Sequence, residues 1–327
     1  ERGRGGPMTR REMLQVSGTA IAAGLSGFSS YASPKNQTDR EAHKVKSPFR
    51  ISLNTSTIRG YKLPVEQQIE VCAEAGFDGI ELWVSDVESY IKQGGTPEAL
   101  NRQIKQHGLV LENMIAFSTW IADDPALRTE GIRKIRQDME LTARLGGYCI
   151  AAPIQGVSGI EREKFSDYFS RYHTILEEGD KTGVTPLIEL WGSGALNQLS
   201  DIAAITIGSV HPKAAMLLDF YHLYRGGNSF DSLWQINGKS MPIFHINDYP
   251  GSIPRETLKD SDRLFPGEGV CPFNKVLSLL FQTGFRGALS IELFNRTYWD
   301  TMNVKEVLKK SYRSTLAVIN NSLLIDD

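Results

Sequence analysis

Only three cysteines occur in 327 residues, and none form a CxxC pair. Cys72, Cys149 and Cys271 are too few, too far apart and odd in number for a disulfide framework or a thiolate zinc site, and they read as buried free thiols. Charge of one sign is lacking as well. The 36 basic and 38 acidic residues leave a net charge of −2, which gives no field for gripping a phosphate backbone and argues against nucleic acid as a partner. A glycine-rich phosphate turn is absent after the first apolar run, where the chain reads SLNTSTIRG. That weighs against a doubly wound dinucleotide-binding sheet. The longest weakly apolar stretch near the start, VSGTAIAAGLSGF, is too short and too glycine-rich for a stable membrane span.

What is present falls into three parts. Arg10 and Arg11, the stretch just quoted, and the small residues Ser30 and Ala32 form the three-part pattern of an export signal. The arginine pair makes residues 1–32 resemble a twin-arginine leader, with cleavage expected after Ala32. Met8 then reads as the natural start, with 1–7 as an upstream extension. Residues 33–48 are polar and read as a linker. The sequence places the mature protein in the periplasm or another extracytoplasmic space.

From residue 49 to 322 the sequence predicts a single domain. Apolar runs at 49–54, 78–83, 109–116, 148–153, 185–190, 214–219, 242–247 and 287–293 read as strands. Between them, Val65, Ile69, Cys72 and Ala73 recur at helical spacing, as do Leu127, Gly131, Ile135 and Met139. The sets Phe165, Phe169, Tyr172, Leu176 and Phe273, Val276, Leu277, Leu280 do the same. Gly76, Gly108, Gly146, Gly183 and Gly284 stand where left-handed helix caps belong, and Pro64 and Pro97 where first turns accept proline. Eight alternations over about 270 residues match a (β/α)8 TIM barrel, with an open doubly wound sheet as the alternative.

Four of the later apolar runs end in a group that a divalent metal accepts: Glu189 in PLIELW, Asp219 in AAMLLDFYH, His245 in MPIFHIND and Glu292 in ALSIELFN. In a parallel barrel these strand ends meet at one mouth. Three carboxylates and an imidazole without a cation would repel one another in a partly dry site, so one divalent metal is expected. Mn²⁺ is favoured, with Mg²⁺, Co²⁺ and Zn²⁺ as alternatives. A fold completed before export would guard a manganese site against copper and zinc. Around this set, His222 is a candidate for a substrate oxygen and Asp248 for orienting His245 or a ligand. Arg263 offers a planar fork for substrate oxygens, and Glu81 a distal contact. Trp120 belongs to a group of aromatics, with Trp83, Trp191, Trp299, Tyr221 and Phe294, suited to the C–H faces of a sugar.

The segments GFDGIEL (76–82), LLDFYH (217–222), HIND (245–248), DRLFPGEG (262–269) and IELF (291–294), with Glu189, resemble the sugar phosphate isomerase/epimerase family of the xylose isomerase-like TIM-barrel superfamily. The resemblance covers about residues 49–320. As in ketose 3-epimerases, it implies one metal held by Glu189, Asp219, His245 and Glu292, proton exchange by Glu189 and Glu292, and substrate contact by His222. Six histidines, without a basic surface, are too few for a three-zinc AP-endonuclease. No lysine beside the motifs matches that of a classical xylose isomerase. The expected activity is metal-dependent isomerisation or epimerisation of a neutral sugar or keto-sugar by proton abstraction next to a carbonyl, through a metal-bound enediolate. A lyase or dehydratase acting on a keto-sugar or inosose, and a non-catalytic sugar-binding barrel, are the alternatives. The sequence leaves the oligomeric state open, a homo-oligomer included.

Overall fold

The computed structural model describes residues 47–323, so the leader and most of the linker read from the sequence lie outside the described residues. Eight strands, β1 (Arg50–Asn54), β2 (Gly79–Trp83), β3 (Val110–Ile115), β4 (Cys149–Pro153), β5 (Thr185–Glu189), β6 (Met216–Asp219), β7 (Ile243–Ile246) and β8 (Ala288–Ile291), pair in chain order. The sheet closes between β1 and β8, and every pairing is parallel. This is the (β/α)8 barrel that the eight apolar runs predict, each strand lying within two residues of its run. Among the described residues no helix is long and apolar enough to cross a membrane.

Strand periodicity organises the interior. Side chains alternate between faces with period two, so Leu187, Leu217, Ile243 and Ala288 pack together inside the barrel. Their successors Ile188, Leu218, Phe244 and Leu289 pack outward in the layer under the helices. Two residues further along the inward faces of β5, β6 and β7 come Glu189, Asp219 and His245; on β8, Ser290 intervenes before Glu292. Asp219 pairs directly with His245, whereas Glu189 pairs with Leu217 and His245 with Ser290, so the acidic ends of β5 and β8 are each offset by two residues from their neighbours.

Helices α1 (Val65–Glu74), α4 (Pro125–Arg144), α5 (Phe165–Thr182) and α8 (Phe273–Gln282) carry the four apolar stripes. Gly76, Gly108, Gly146, Gly183 and Gly284 all have positive φ, the left-handed conformation that ends a helix at least cost on glycine. Leu127 departs from its stripe and is 52% exposed. It lies in the first turn of a 20-residue helix. Such a helix spans about 30 Å, whereas a five-residue strand spans about 17 Å, so its end overhangs the sheet. Two further helices, α2 (Val84–Lys92) and α3 (Pro97–Gln106), share the connection after β2. The remaining helices are α6 (Leu199–Gly208), α7 (Phe220–Arg225), α9 (Arg296–Thr301) and α10 (Val304–Leu323).

One tyrosine ties the starts of β5 and β6, the strands that carry Glu189 and Asp219. β5 and β6 share only two paired positions. Tyr172 of α5 is fully buried beside that gap. Its hydroxyl lies 2.7 Å from Ala215 O and 2.9 Å from Pro186 O, and accepts from Ala215 N–H at 3.1 Å. Tyr172→Phe removes the hydroxyl that Ala215 N–H and Pro186 O share in a dry layer, while Ala215 O keeps the Ile188 N–H, a loss of about 1–3 kcal/mol. Urea denaturation measures it, and a variant as stable as the parent would mean that the strands close the gap unaided.

Candidate functional site

At the C-terminal mouth, Asp219, His245 and Glu292 bring one ligand atom each to within 4.8 Å of one another, and all three are buried. This is the group of three or more metal-accepting side chains found among the described residues. Glu189 stands outside it, although its carboxylate lines the same cavity. The cavity holds about 240 Å³ and is walled by Trp83, Phe117, Trp191 and Phe294, with Glu189, His222, Arg263 and Glu292 among its polar lining. At ~30 Å³ per water, that is the space of about eight waters, room for one monosaccharide-sized molecule.

Each member of the triad is gripped from behind. His245 Nε2 lies 3.0 Å from Glu81 Oε1, and Glu81 accepts in turn from Asn113 Nδ2–H at 2.8 Å. Burial opposes charge on this imidazole, but Glu292 and Glu81 outweigh it and push its pKa well above the ordinary value. Asn247 Nδ2–H donates to both oxygens of Asp219, at 3.1 and 3.2 Å. Asn54 Nδ2–H donates to Glu292 Oε1 at 3.0 Å. His245 Nδ1 has no hydrogen-bond partner although fully buried. It faces Glu292 Oε2 at 3.2 Å and Asp219 Oδ2 at 3.7 Å. An orphaned imidazole nitrogen beside two carboxylate oxygens fits a divalent cation, and the donor set excludes a thiolate-type site.

Arg263 supplies positive charge at the same place. It is 1% exposed. Nη1–H donates to Glu292 Oε2 at 2.7 Å and to Asp219 Oδ2 at 2.9 Å, and Nη2–H to Asp260 Oδ1 at 2.8 Å. Tyr221 and Phe294 present their rings to the guanidinium, 4.4 and 5.2 Å from the ring centres. Burial favours the neutral form of Asp219, but Arg263 and His245, with the backbone N–H of His222, hold its pKa down to about 2. Glu189 has no such neighbour. Its burial, only partly countered by His245 and reinforced by the charge of Glu292, raises its pKa to about 8, so it keeps a proton at neutral pH.

His222 is the third residue of α7, whose first turn is capped by Asp219 Oδ1 accepting from His222 N–H at 3.0 Å. Burial lowers the pKa of the His222 imidazole and keeps it neutral. Gly192 N–H donates to Nδ1 at 3.1 Å, which assigns the ring proton to Nε2. Nε2 meets Arg263 Nη2 at 3.0 Å. This sets two N–H groups 3.0 Å apart at the cavity wall, a contact that an acceptor oxygen bonded to both would relieve.

Three sequence-predicted contacts are placed differently. Glu81 does not reach the cavity; two strand residues follow it, so it sits a layer deeper and orients His245. Asp248 faces away from the mouth and neither orients His245 nor lines the cavity. Its carboxylate collects the N–H groups of Tyr249, Gly267, Gly269 and Cys271, each at 2.9 Å. Trp120 is buried under the barrel wall, its Nε1–H donating to Pro153 O and its ring against Tyr172. Phe117, two residues past β3, is the ring that reaches the cavity from this segment. The sequence reading missed Phe117 and the amides Asn54, Asn113 and Asn247. The available signal was their placement at or just past the ends of strand runs: RISLN, HIN and, inside β3, LEN.

A profile for the xylose isomerase-like TIM barrel family matches residues 69–318. The chain is similar to an inosose isomerase of Bacillus velezensis, 27% identical over 264 residues, covering 78% of this chain and 92% of that one. It is 22% identical over 236 residues to a 3-dehydroshikimate dehydratase of Pseudomonas putida, covering 70% of this chain and 36% of that one. Among solved structures, the IOLI protein with a bound zinc atom superposes with a TM-score of 0.77 at 22% identity, over 84% of this chain and 99% of that one. D-psicose 3-epimerase in the presence of D-fructose superposes at 0.67 and 17% identity, over 84% and 99%.

The Glu189 carboxyl generates a test in protein stripped of metal. Its folded pKa of about 8 lies above the ordinary 4.5, so the folded state holds the proton more tightly. The stability this contributes is complete below pH 4.5 and is lost as pH rises towards 8, at up to about 1.4 kcal/mol per pH unit. Urea melts of chelator-treated protein from pH 5 to 9 should show this decline, flattened in Glu189→Gln. Equal slopes in the two proteins would mean that Glu189 is ionised throughout.

Proposed function

Because the chain belongs to the xylose isomerase-like TIM barrel family, we propose that it is a divalent-metal-dependent isomerase or epimerase of a small neutral keto-sugar or cyclic polyol ketone, acting by proton transfer next to the carbonyl. The observation that carries this reading is the convergence of Asp219, His245 and Glu292 beside a monosaccharide-sized cavity that Glu189 and Glu292 line. Asp219, His245 and Glu292 would hold the ion, with Glu189 the fourth candidate and Mn²⁺ the favoured metal. A bound ion would supply positive charge against a carbonyl oxygen and its neighbouring hydroxyl.

The chain's own groups do the rest. His222 Nε2–H and Arg263 Nη2–H aim at one substrate oxygen and fix the molecule's rotation. Trp83, Phe117, Trp191 and Phe294 cover its C–H surfaces and keep water from the reacting carbon. Glu292 takes the proton from the carbon beside the carbonyl, and Glu189, which holds one, returns a proton to the same carbon or its neighbour. The cavity wall carries a single guanidinium, already engaged by Asp219, Glu292 and Asp260. Among the described lining residues no cation is left for a phosphate or carboxylate, which supports a neutral substrate of the inosose or ketose type. A lyase on the same groups is the second reading, supported by the dehydratase relative. It would release a β-hydroxyl and leave an unsaturated product that absorbs in the ultraviolet.

The experiment is solvent deuterium incorporation into inososes and ketohexoses, with metal content measured alongside. Exchange at the carbon next to the carbonyl is expected, reduced about 10²–10⁴-fold in Glu189→Gln and in Glu292→Gln. Bound metal without exchange across the panel would replace the enzyme reading with a sugar-binding barrel.

Export through residues 1–32 is proposed alongside. Replacing Arg10 and Arg11 by lysine should leave the precursor uncleaved in the cytoplasm, and unchanged processing would discard the twin-arginine assignment.

A further inference from the structure

The grip on Glu292 differs from the other two, because it ends in the cavity wall. Asn54, the last residue of β1, is fully buried. Its Oδ1 accepts from Trp83 Nε1–H at 3.0 Å and from Ser56 N–H at 3.0 Å. Both of these groups only donate, so the oxygen of the amide must face them. The NH₂ is thereby forced towards Glu292 Oε1, across 238 positions of sequence. With Oε1 occupied, Oε2 is left to face Arg263 Nη1 and His245 Nδ1. Trp83 in turn lies in the cavity wall, with the guanidinium of Arg59 3.7 Å over its ring. A substrate ring lying on Trp83 presses on the same indole whose N–H sets the amide.

We propose that Asn54 is the positioning residue for Glu292, and that the Trp83 indole locks the amide so that the carboxylate keeps one oxygen tied and presents the other to the ion and the substrate. This rests on the reading of Glu292 as a metal-holding, proton-transferring residue. Asn54 touches neither ion nor substrate and acts through Glu292. The arrangement also makes the two glutamates unequal: Glu292 has a fixed orientation, whereas Glu189 has no side-chain amide behind it.

The test compares Asn54→Ala, Trp83→Phe and Glu292→Gln with the parent in the full chain. Zn²⁺ is the probe, its affinity read by competition with a chromophoric chelator, and thermal melts confirm folding. Asn54→Ala should weaken Zn²⁺ binding about 10–100-fold, the usual effect of losing a group that orients a ligand. Trp83→Phe keeps an aromatic side chain but removes the N–H together with the five-membered ring of the indole, and should move affinity in the same direction by less; it carries the test if Asn54→Ala does not fold. At saturating metal, on any substrate that exchanges deuterium, Asn54→Ala should lower kcat while KM stays within about threefold, because the substrate contacts are intact. If Glu292→Gln loses Zn²⁺ and the folded Asn54→Ala or Trp83→Phe variants bind it like the parent, the positioning role is overturned. If Glu292→Gln itself binds Zn²⁺ unchanged, the reading of Glu292 fails instead.

Discussion

Charge buried in a barrel must be answered from inside the barrel, and the rest of this mouth follows from that requirement. An unpaired carboxylate or imidazolium away from water costs several kcal/mol. Asp219, His245 and Glu292 are each at most 5% exposed. Asn247 and Arg263 answer Asp219, Glu81 answers His245 and is itself held by Asn113, and Asn54 with Arg263 answers Glu292. All but Arg263 come from the strands or their immediate ends, where the backbone is fixed by sheet pairing. Glu189 is the exception that obeys the same rule: lacking a donor, it keeps its proton.

Arg263 alone comes from a loop, and a loop has to be made rigid before it can deliver a buried guanidinium. Asp248 does this. Its four backbone N–H partners and the paired backbone of Asp248 and Leu264 tie the turn at 264–271 to the end of β7. Gly269 lets the chain pass so close that an added Cβ would stand 2.2 Å from Tyr249 O. The polar residues of HIND therefore serve opposite sides of the strand end. His245 faces Asp219 and Glu292, Asn247 holds Asp219, and Asp248 anchors the loop that returns Arg263 to the same carboxylates.

The barrel was legible because strands buried on both faces read as unbroken apolar runs, and the four ionisable ends were legible because they interrupt those runs. Helices α2, α3 and α6 were not resolved individually. α3 is strongly polar, and α6 is apolar nearly all round, which blurs its stripe. The supporting amides were invisible for a different reason. Asn54 and Glu292 stand 238 positions apart in the sequence, and a neutral amide in an apolar run carries no mark of its partner. Glu81 looked like the other strand-end acids, but Leu82 and Trp83 continue the strand past it. A displacement of two residues, about 6–7 Å along a strand, separates a group in the cavity from one beneath it.

That displacement also bears on the class of molecule the mouth accepts. The layer below the cavity spends its polar groups on one another, through Asn113, Glu81 and His245. The layer at the cavity spends its one guanidinium on three carboxylates. A phosphate or carboxylate entering here would have to draw Arg263 away from Asp219, Glu292 or Asp260 and leave a buried oxygen bare, a loss of about 1–3 kcal/mol for each such group. A hydroxyl or carbonyl oxygen asks for no such exchange. It needs only the two donors, His222 Nε2–H and Arg263 Nη2–H, that already point to one place, while the aromatic wall takes the hydrocarbon face. On the proposed reading, a neutral polyol suits that balance of donors and apolar surface better than an anion does.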